Sequence, residues 1–141
     1  YQQVPVCNPD LLNGKGINSP SDLLTYTLLH IPKRTDEWQR WFTQVGATYK
    51  ESKRGLYLSS GSLTTSSAIN GLGFALADIG FVSEEIANGK LIAPLDEFLI
   101  TEKSFYLVHQ KKRALTYPMK AFQSWVTDEM TKDIAAKRED K

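Results

Sequence analysis

Residues 55 to 77 carry the pattern that most narrows what this chain can fold into. Gly55-Leu-Tyr-Leu58 is a short strand-like run broken by Ser59-Ser60-Gly61-Ser62. Leu63 to Asn70 reads as a helix rich in Ser and Thr, ended by Gly71, and Gly73-Phe-Ala-Leu-Ala77 reads as a buried strand. Strand, polar turn, helix, Gly-x-Gly and strand make a compact βαβ unit, which implies parallel pairing with a helix laid across one face. The expected class is therefore α/β, a three-layer αβα arrangement around a mostly parallel sheet. Gly71-Leu-Gly73 has part of the form of a dinucleotide fingerprint, but it follows a helix and precedes a strand, the reverse of what that motif needs.

The flanking segments supply the rest of such a sheet. Val4-Pro-Val-Cys7 is a short β-branched run stopped by Asn8-Pro9; because Pro5 lacks an N–H, this strand is expected at an edge or bent. Asp10 to Gly16 holds a helical turn ended by Asn13-Gly14, and Ser19 with Pro20 opens another. Thr27-Leu-Leu-His30 is expected as a buried strand closed by Pro32. Thr35 or Asp36 can cap a helix whose Trp38, Trp41, Phe42 and Val45 share one face, with Gly46 ending it. Aromatics that dense suit packing against a sheet better than a ligand cage. Phe81 to Gly89 reads as a short helix, and Lys90-Leu-Ile-Ala-Pro94 and Ser104-Phe-Tyr-Leu-Val-His109 as strands. Pro118 starts a last helix with Met119, Phe122, Trp125, Val126 and Met130 on one face, and the charged stretch 132–141 is expected to fray. Leu28, Leu29, Leu56, Leu58, Ala75 and Leu76 should form the core under Trp38, Trp41 and Phe42.

Charge and chemistry exclude several function classes. Seventeen Lys and Arg stand against sixteen Asp and Glu, a net charge of +1, so no strong field draws this chain to nucleic acid or membrane. Cys7 is the lone cysteine and suits a buried thiol in a reducing, cytoplasmic setting. The chain shows no G-x-S-x-G elbow, Walker loop, S-x-x-K or H-E-x-x-H, so we expect no enzyme, no cofactor and no metal site. His30 and His109 are too few and too far apart for metal ligation. Apolar stretches are too short to span a membrane. Tyr1-Gln-Gln-Val-Pro-Val lacks the form of a secretory leader and reads as a strand entered midway, as expected of a piece of a longer protein.

One turn has binding potential. Ser59-Ser60-Gly61-Ser62 joins the carboxyl end of a strand to a helix N-terminus, where ligands of open α/β sheets bind. Unpaired amides and the positive end of the helix dipole favour an anion there. Capping of the helix alone, and capping combined with ligand contact, both fit these serines.

Taken in order, several segments resemble the effector-binding domain of LysR-type transcriptional regulators, with the nearest resemblance to the glycine-cleavage activator branch. They are Val4-Pro-Val-Cys-Asn-Pro9, Ser19-Pro-Ser-Asp-Leu23, Thr27-Leu-Leu-His30 and Asp36-Glu-Trp-Gln-Arg-Trp41 with Gly46. Ala68-Ile-Asn-Gly-Leu-Gly-Phe-Ala-Leu76, Ile86-Ala-Asn-Gly-Lys-Leu-Ile-Ala-Pro94, Phe105-Tyr-Leu-Val108 and Ala121-Phe-Gln-Ser-Trp125 complete the set.

That resemblance implies a lobe of a fold like the type 2 periplasmic binding proteins, with a small-molecule effector in a cleft between two lobes. Residues 1–131 would be the C-terminal part of the domain: a second lobe over about 8–103, a return strand and terminal helix over 104–131, and a charged tail over 132–141. The effector, a carboxylate or amino acid, would meet Ser60 first, with Ser59, Gly61, His30 and Ile31 around it. Phe105, Phe122, Trp125 and Val126 would serve contact between copies in a homo-oligomer. DNA would be bound only through a helix-turn-helix outside this chain. The competing function is a solute-binding protein of a transport system.

Overall fold

The computed structural model describes residues 2–50, 55–101, 106–111 and 114–139, the stretch 132–139 by its backbone alone. It forms two compact units, Tyr1–Glu102 and Lys103–Lys141.

The first unit is built on five short strands: β1 (Gln2–Val6), β2 (Leu29–His30), β3 (Leu56–Tyr57), β4 (Ala75–Asp78) and β5 (Leu99–Ile100). β2 and β3 run parallel, in register Leu29 to Leu56 and His30 to Tyr57. A parallel bridge from Leu28 to Phe74 ties this pair to β4. β1 lies between β4 and β5 and is antiparallel to both. Parallel pairing, expected for most of the sheet, thus belongs to the βαβ part, where the crossing helix dictates it. β1 is under no such constraint.

Pro5 is not in an edge strand. Adjacent N–H groups on a strand point to opposite sides, and Cys7 N–H points away from β4 to Ile92 O at 3.1 Å. Pro5 faces that same side, between the Cys7–Ile92 bridge and the Gln3–Leu99 pair, where 93–98 forms no ladder. Its missing donor therefore leaves no ladder bond unmade. Lys90–Pro94, expected as a strand, contributes just the Ile92 bridge among the described residues.

Side-chain alternation divides the core between the two faces of the sheet. Leu28, Phe74, Leu76 and Cys7 pack with Trp38, Trp41 and Phe42 of α1 (Glu37–Gln44) and with Leu12 and Leu23 of two 3-10 turns. Leu29, Ala75, Ala77, Val4 and Val6 pack with Ala68 of α2 (Gly61–Ile69) and Val82 of α3 (Ile79–Ala87). Helices therefore cover both faces, the three-layer αβα arrangement. Leu56 departs from the expected core: β3 pairs with β2 alone among the described strands, and Leu56 is 38% exposed, Leu58 half-buried.

Local chemistry sets the helix ends. Gly46, at φ +72°, ends α1, and Ala47 N–H closes back on Phe42 O at 2.9 Å. Asp36 takes the cap position of α1 without a side-chain capping bond, whereas Asp78 caps α3 by accepting from Gly80 N–H at 2.9 Å. Before the second 3-10 turn (Pro20–Thr25), the Asn18 and Ser19 amides both donate to Asp22 Oδ2 at 2.9 Å, holding that carboxyl below its usual range.

The second unit is dominated by α4 (Tyr117–Glu139), which continues as helix through much of the charged stretch expected to fray. Phe122 and Trp125 are 52% and 58% exposed, with ring centres 5.8 Å apart, and Val126 is half-buried. Leu107, Val108, His109, Leu115, Met119 and Phe122 line an apolar groove of about 280 Å3. Phe105 lies outside the described residues. Residues 106–110, expected to continue a strand through His109, have no regular structure.

Candidate functional site

β2 ends at His30 and α2 begins at Gly61, and the two ends are brought together by the parallel β2–β3 pairing that delivers residue 58 to the turn. Leu58 N–H donates to His30 O at 2.8 Å, so the turn starts one residue beyond β2's last ladder bond. Ser60, in extended backbone, is the N-cap of α2: its Oγ accepts from Leu63 N–H at 3.3 Å and lies 3.0 Å from Ser62 Oγ. That arrangement leaves the first-turn amides of Gly61 and Ser62 directed out of the helix start. Ser59 and Gly61 are exposed, and Ile31 Cδ1 lies 3.9 Å from where a Cβ on Gly61 would sit. The five expected effector residues thus occupy two adjoining corners, His30–Ile31 and Ser59–Gly61.

His30 is a buried residue, 4% exposed, rather than a free side chain at the rim. Its ring stacks on Tyr57 with centres 4.9 Å apart, and Gly55 packs so closely on the ring edge that a Cβ there would lie 3.1 Å from both Cδ2 and Nε2. His30 therefore shapes the wall of the site.

Three further polar residues gather here that the sequence reading did not single out. Leu29, His30, Ile31, Arg34, Glu37 and Thr64 line a small cavity of about 10 Å3 at the end of β2. Thr64 is buried in the first turns of α2, its Oγ1 donating to Gly61 O at 2.8 Å. Glu37, 6% exposed, is paired with Arg34 Nη1 at 3.5 Å. Behind it, Gln3 Nε2 donates to Glu37 Oε1 at 3.4 Å, while Gln3 Oε1 is buried without a hydrogen-bond partner among the described residues. The i, i+3 spacing of Arg34 and Glu37 was a visible signal. Burial of Glu37 was not, because it lies off the aromatic face of α1 among polar residues, next to Trp38 in sequence.

Elsewhere the chemistry is quiet. Burial pushes the Cys7 thiol up to about 12, which makes it a poor nucleophile. Among the described residues no group of three His, Cys, Asp or Glu could hold a metal, and no helix is long and apolar enough to cross a membrane.

Comparison with known proteins gives one consistent answer. The glycine cleavage system transcriptional activator of Escherichia coli K12 is 36% identical over 124 residues, covering 87% of this chain and 40% of its own length. The transcriptional activator AmpR of Enterobacter cloacae is 29% identical over 129 residues, 91% of this chain and 43% of its own. The effector domain of AmpR from Pseudomonas aeruginosa superposes with a TM-score of 0.82 at 26% identity, over 96% of this chain and 65% of that structure. The AmpR effector binding domain of Citrobacter freundii gives 0.80 at 25% identity, over 93% of this chain and 64% of that one. The chain thus spans about two fifths of the curated relatives' length. These relatives are transcriptional regulators, neither enzymes nor transport proteins. The LysR substrate binding domain family matches residues 1–131, and this chain belongs to that family.

Proposed function

We propose that this chain is the ligand-sensing part of a LysR-type transcriptional regulator and that its effector is a small molecule carrying a carboxylate. The observation that carries this reading is the meeting of the ends of β2 and α2 around one polar cavity. Outward-directed amides at the start of α2, the Ser59 and Ser60 hydroxyls and the apolar wall of Ile31 suit a carboxylate with a short carbon chain. Relatives of the same fold are described as effector domains, which agrees with a sensing role. DNA contact is assigned to the part of such regulators that this chain does not span, and the cytoplasm is where a regulator meets its DNA.

The test is calorimetric titration, after a thermal-shift screen of amino acids and short carboxylic acids. Ser60→Ala should weaken binding by about 1–2 kcal/mol, roughly one hydrogen bond to a charged group. Equal affinities would mean that Ser60 only caps α2.

For assembly, the reading is a homo-oligomer in which Phe122, Trp125 and Val126 of α4 contact a second copy; Phe105, which belongs to the same expectation, lies outside the described residues. The exposed rings of Phe122 and Trp125 support it, since contiguous apolar patches tend to become contact sites. A concentration-independent monomer mass in light scattering would refute it.

A further inference from the structure

The cavity at the end of β2 is lined by an ion pair whose acidic member is the buried one. Glu37 lines it from the first turn of α1 and is 6% exposed. At about 10 Å3 the space admits roughly one water-sized group. Arg34 lines the same cavity and pairs with Glu37, but its side chain is 43% exposed, so Glu37 is the buried, less screened member that a second carboxylate would meet as a like charge. An alkylammonium head is about the size of a water and carries three donors. The acceptor for it within the cavity is the Glu37 carboxylate, whose Oε1 also accepts from Gln3 Nε2 at 3.4 Å.

We propose that this cavity receives the ammonium group of the effector, with Glu37 as its acceptor and specificity-determining residue. The inference rests on the reading of the α2 start as the carboxylate contact, and it narrows the effector to an α-amino acid or a molecule ending in one. A zwitterion answers both ends of the site: its carboxylate meets the amides opening α2, and its ammonium meets Glu37. Thr64, in α2, lines the same cavity, and its Oγ1 donates to Gly61 O at 2.8 Å, which ties the cavity to the first turn of α2. Arg34 is the competing cation. Its side chain is 43% exposed and reaches Glu37 through a single nitrogen at 3.5 Å. Such a half-exposed pair is weakly held, so a ligand ammonium can share or displace it. Arg34 thereby sets the sign of the test: its removal frees Glu37 for the ligand.

The experiment is amide-resolved NMR titration of the chain with L-alanine, propionate and L-alaninamide, which carry both groups, the carboxylate alone and the ammonium alone. L-Alanine should bind about tenfold tighter than propionate, the worth of one charge-assisted hydrogen bond. Glu37→Gln should bring L-alanine down to the level of propionate. Arg34→Gln, at a half-exposed position that tolerates change, should tighten L-alaninamide. Propionate matching L-alanine on the unmodified chain, a preference that survives Glu37→Gln, or weaker L-alaninamide binding in Arg34→Gln would overturn the inference and leave the carboxylate site standing. If none of the three compounds moves the amides of residues 60–64, the inference and the site reading fall together.

Discussion

Alanine in place of Gly73 tests how β2, and the site at its end, is fixed to the rest of the sheet. A Cβ at position 73 would run into the Thr27 carbonyl oxygen and come within 3.0 Å of the Thr27 carbonyl carbon. Both clashes are with backbone, so no side chain can turn away. Relief requires Gly73 and Thr27 to part, which breaks Phe74 N–H to Thr27 O at 2.9 Å and strains Leu29 N–H to Phe74 O at 2.8 Å. Two such bonds are worth about 1–3 kcal/mol together, and loosening the fully buried Phe74 adds about 1–2, for a total near 3–4 kcal/mol. Gly71 is the control: its φ is +74° but nothing lies within 4 Å of a Cβ there, so Gly71→Ala should cost about 1–2 kcal/mol of backbone strain. Urea unfolding followed by fluorescence of the buried Trp38 and Trp41 reads both variants. A Gly73→Ala midpoint equal to or above that of Gly71→Ala would refute the argument.

Trp41→Ala should cost about 3–5 kcal/mol, because the ring is fully buried and its Nε1 donates to Glu97 O at 3.2 Å. Trp125→Ala, on an exposed ring, should cost much less in the same unfolding assay. Cys7 should resist alkylation at pH 8 in the folded chain and react once urea unfolds it. Its raised folded value means that the thiol's contribution to stability is intact below about pH 9 and declines as pH climbs toward 12. A Cys7→Ser chain should lack that alkaline decline.

What the sequence disclosed depended on how local the cause was. The βαβ succession over residues 55–77 and the aromatic face of Trp38, Trp41 and Phe42 rest on short-range periodicity, and the structure forms both. Gly71-Leu-Gly73 was legible as something other than a cofactor loop; its reason, the closeness of Gly73 to Thr27, is a long-range contact that no spacing reveals. The placement of β1 between two antiparallel neighbours was hidden for the same cause: Pro5 argued for an edge, but the gap it faces is created by residues 93–98, far along the chain. Strand character in Tyr106-Leu-Val108 was overread, since β propensity is realised only against a neighbour, and Tyr106 and Val108 are 81% and 82% exposed. At the site, Ser60 announced itself by its position before a helix. Glu37 did not, because burial of a charge is decided by what folds over it.

If a small molecule is sensed where β2 ends and α2 begins, its binding must be felt by the residues at those two ends. A backbone NMR map of the chain titrated with the strongest compound from the thermal-shift screen tests this most directly. The largest shifts should fall in two clusters, residues 30–37 and 59–64, and Ser60→Ala should weaken the binding that produces them. Shifts centred on the α4 groove around Leu115 and Met119, with both clusters unmoved, would contradict it.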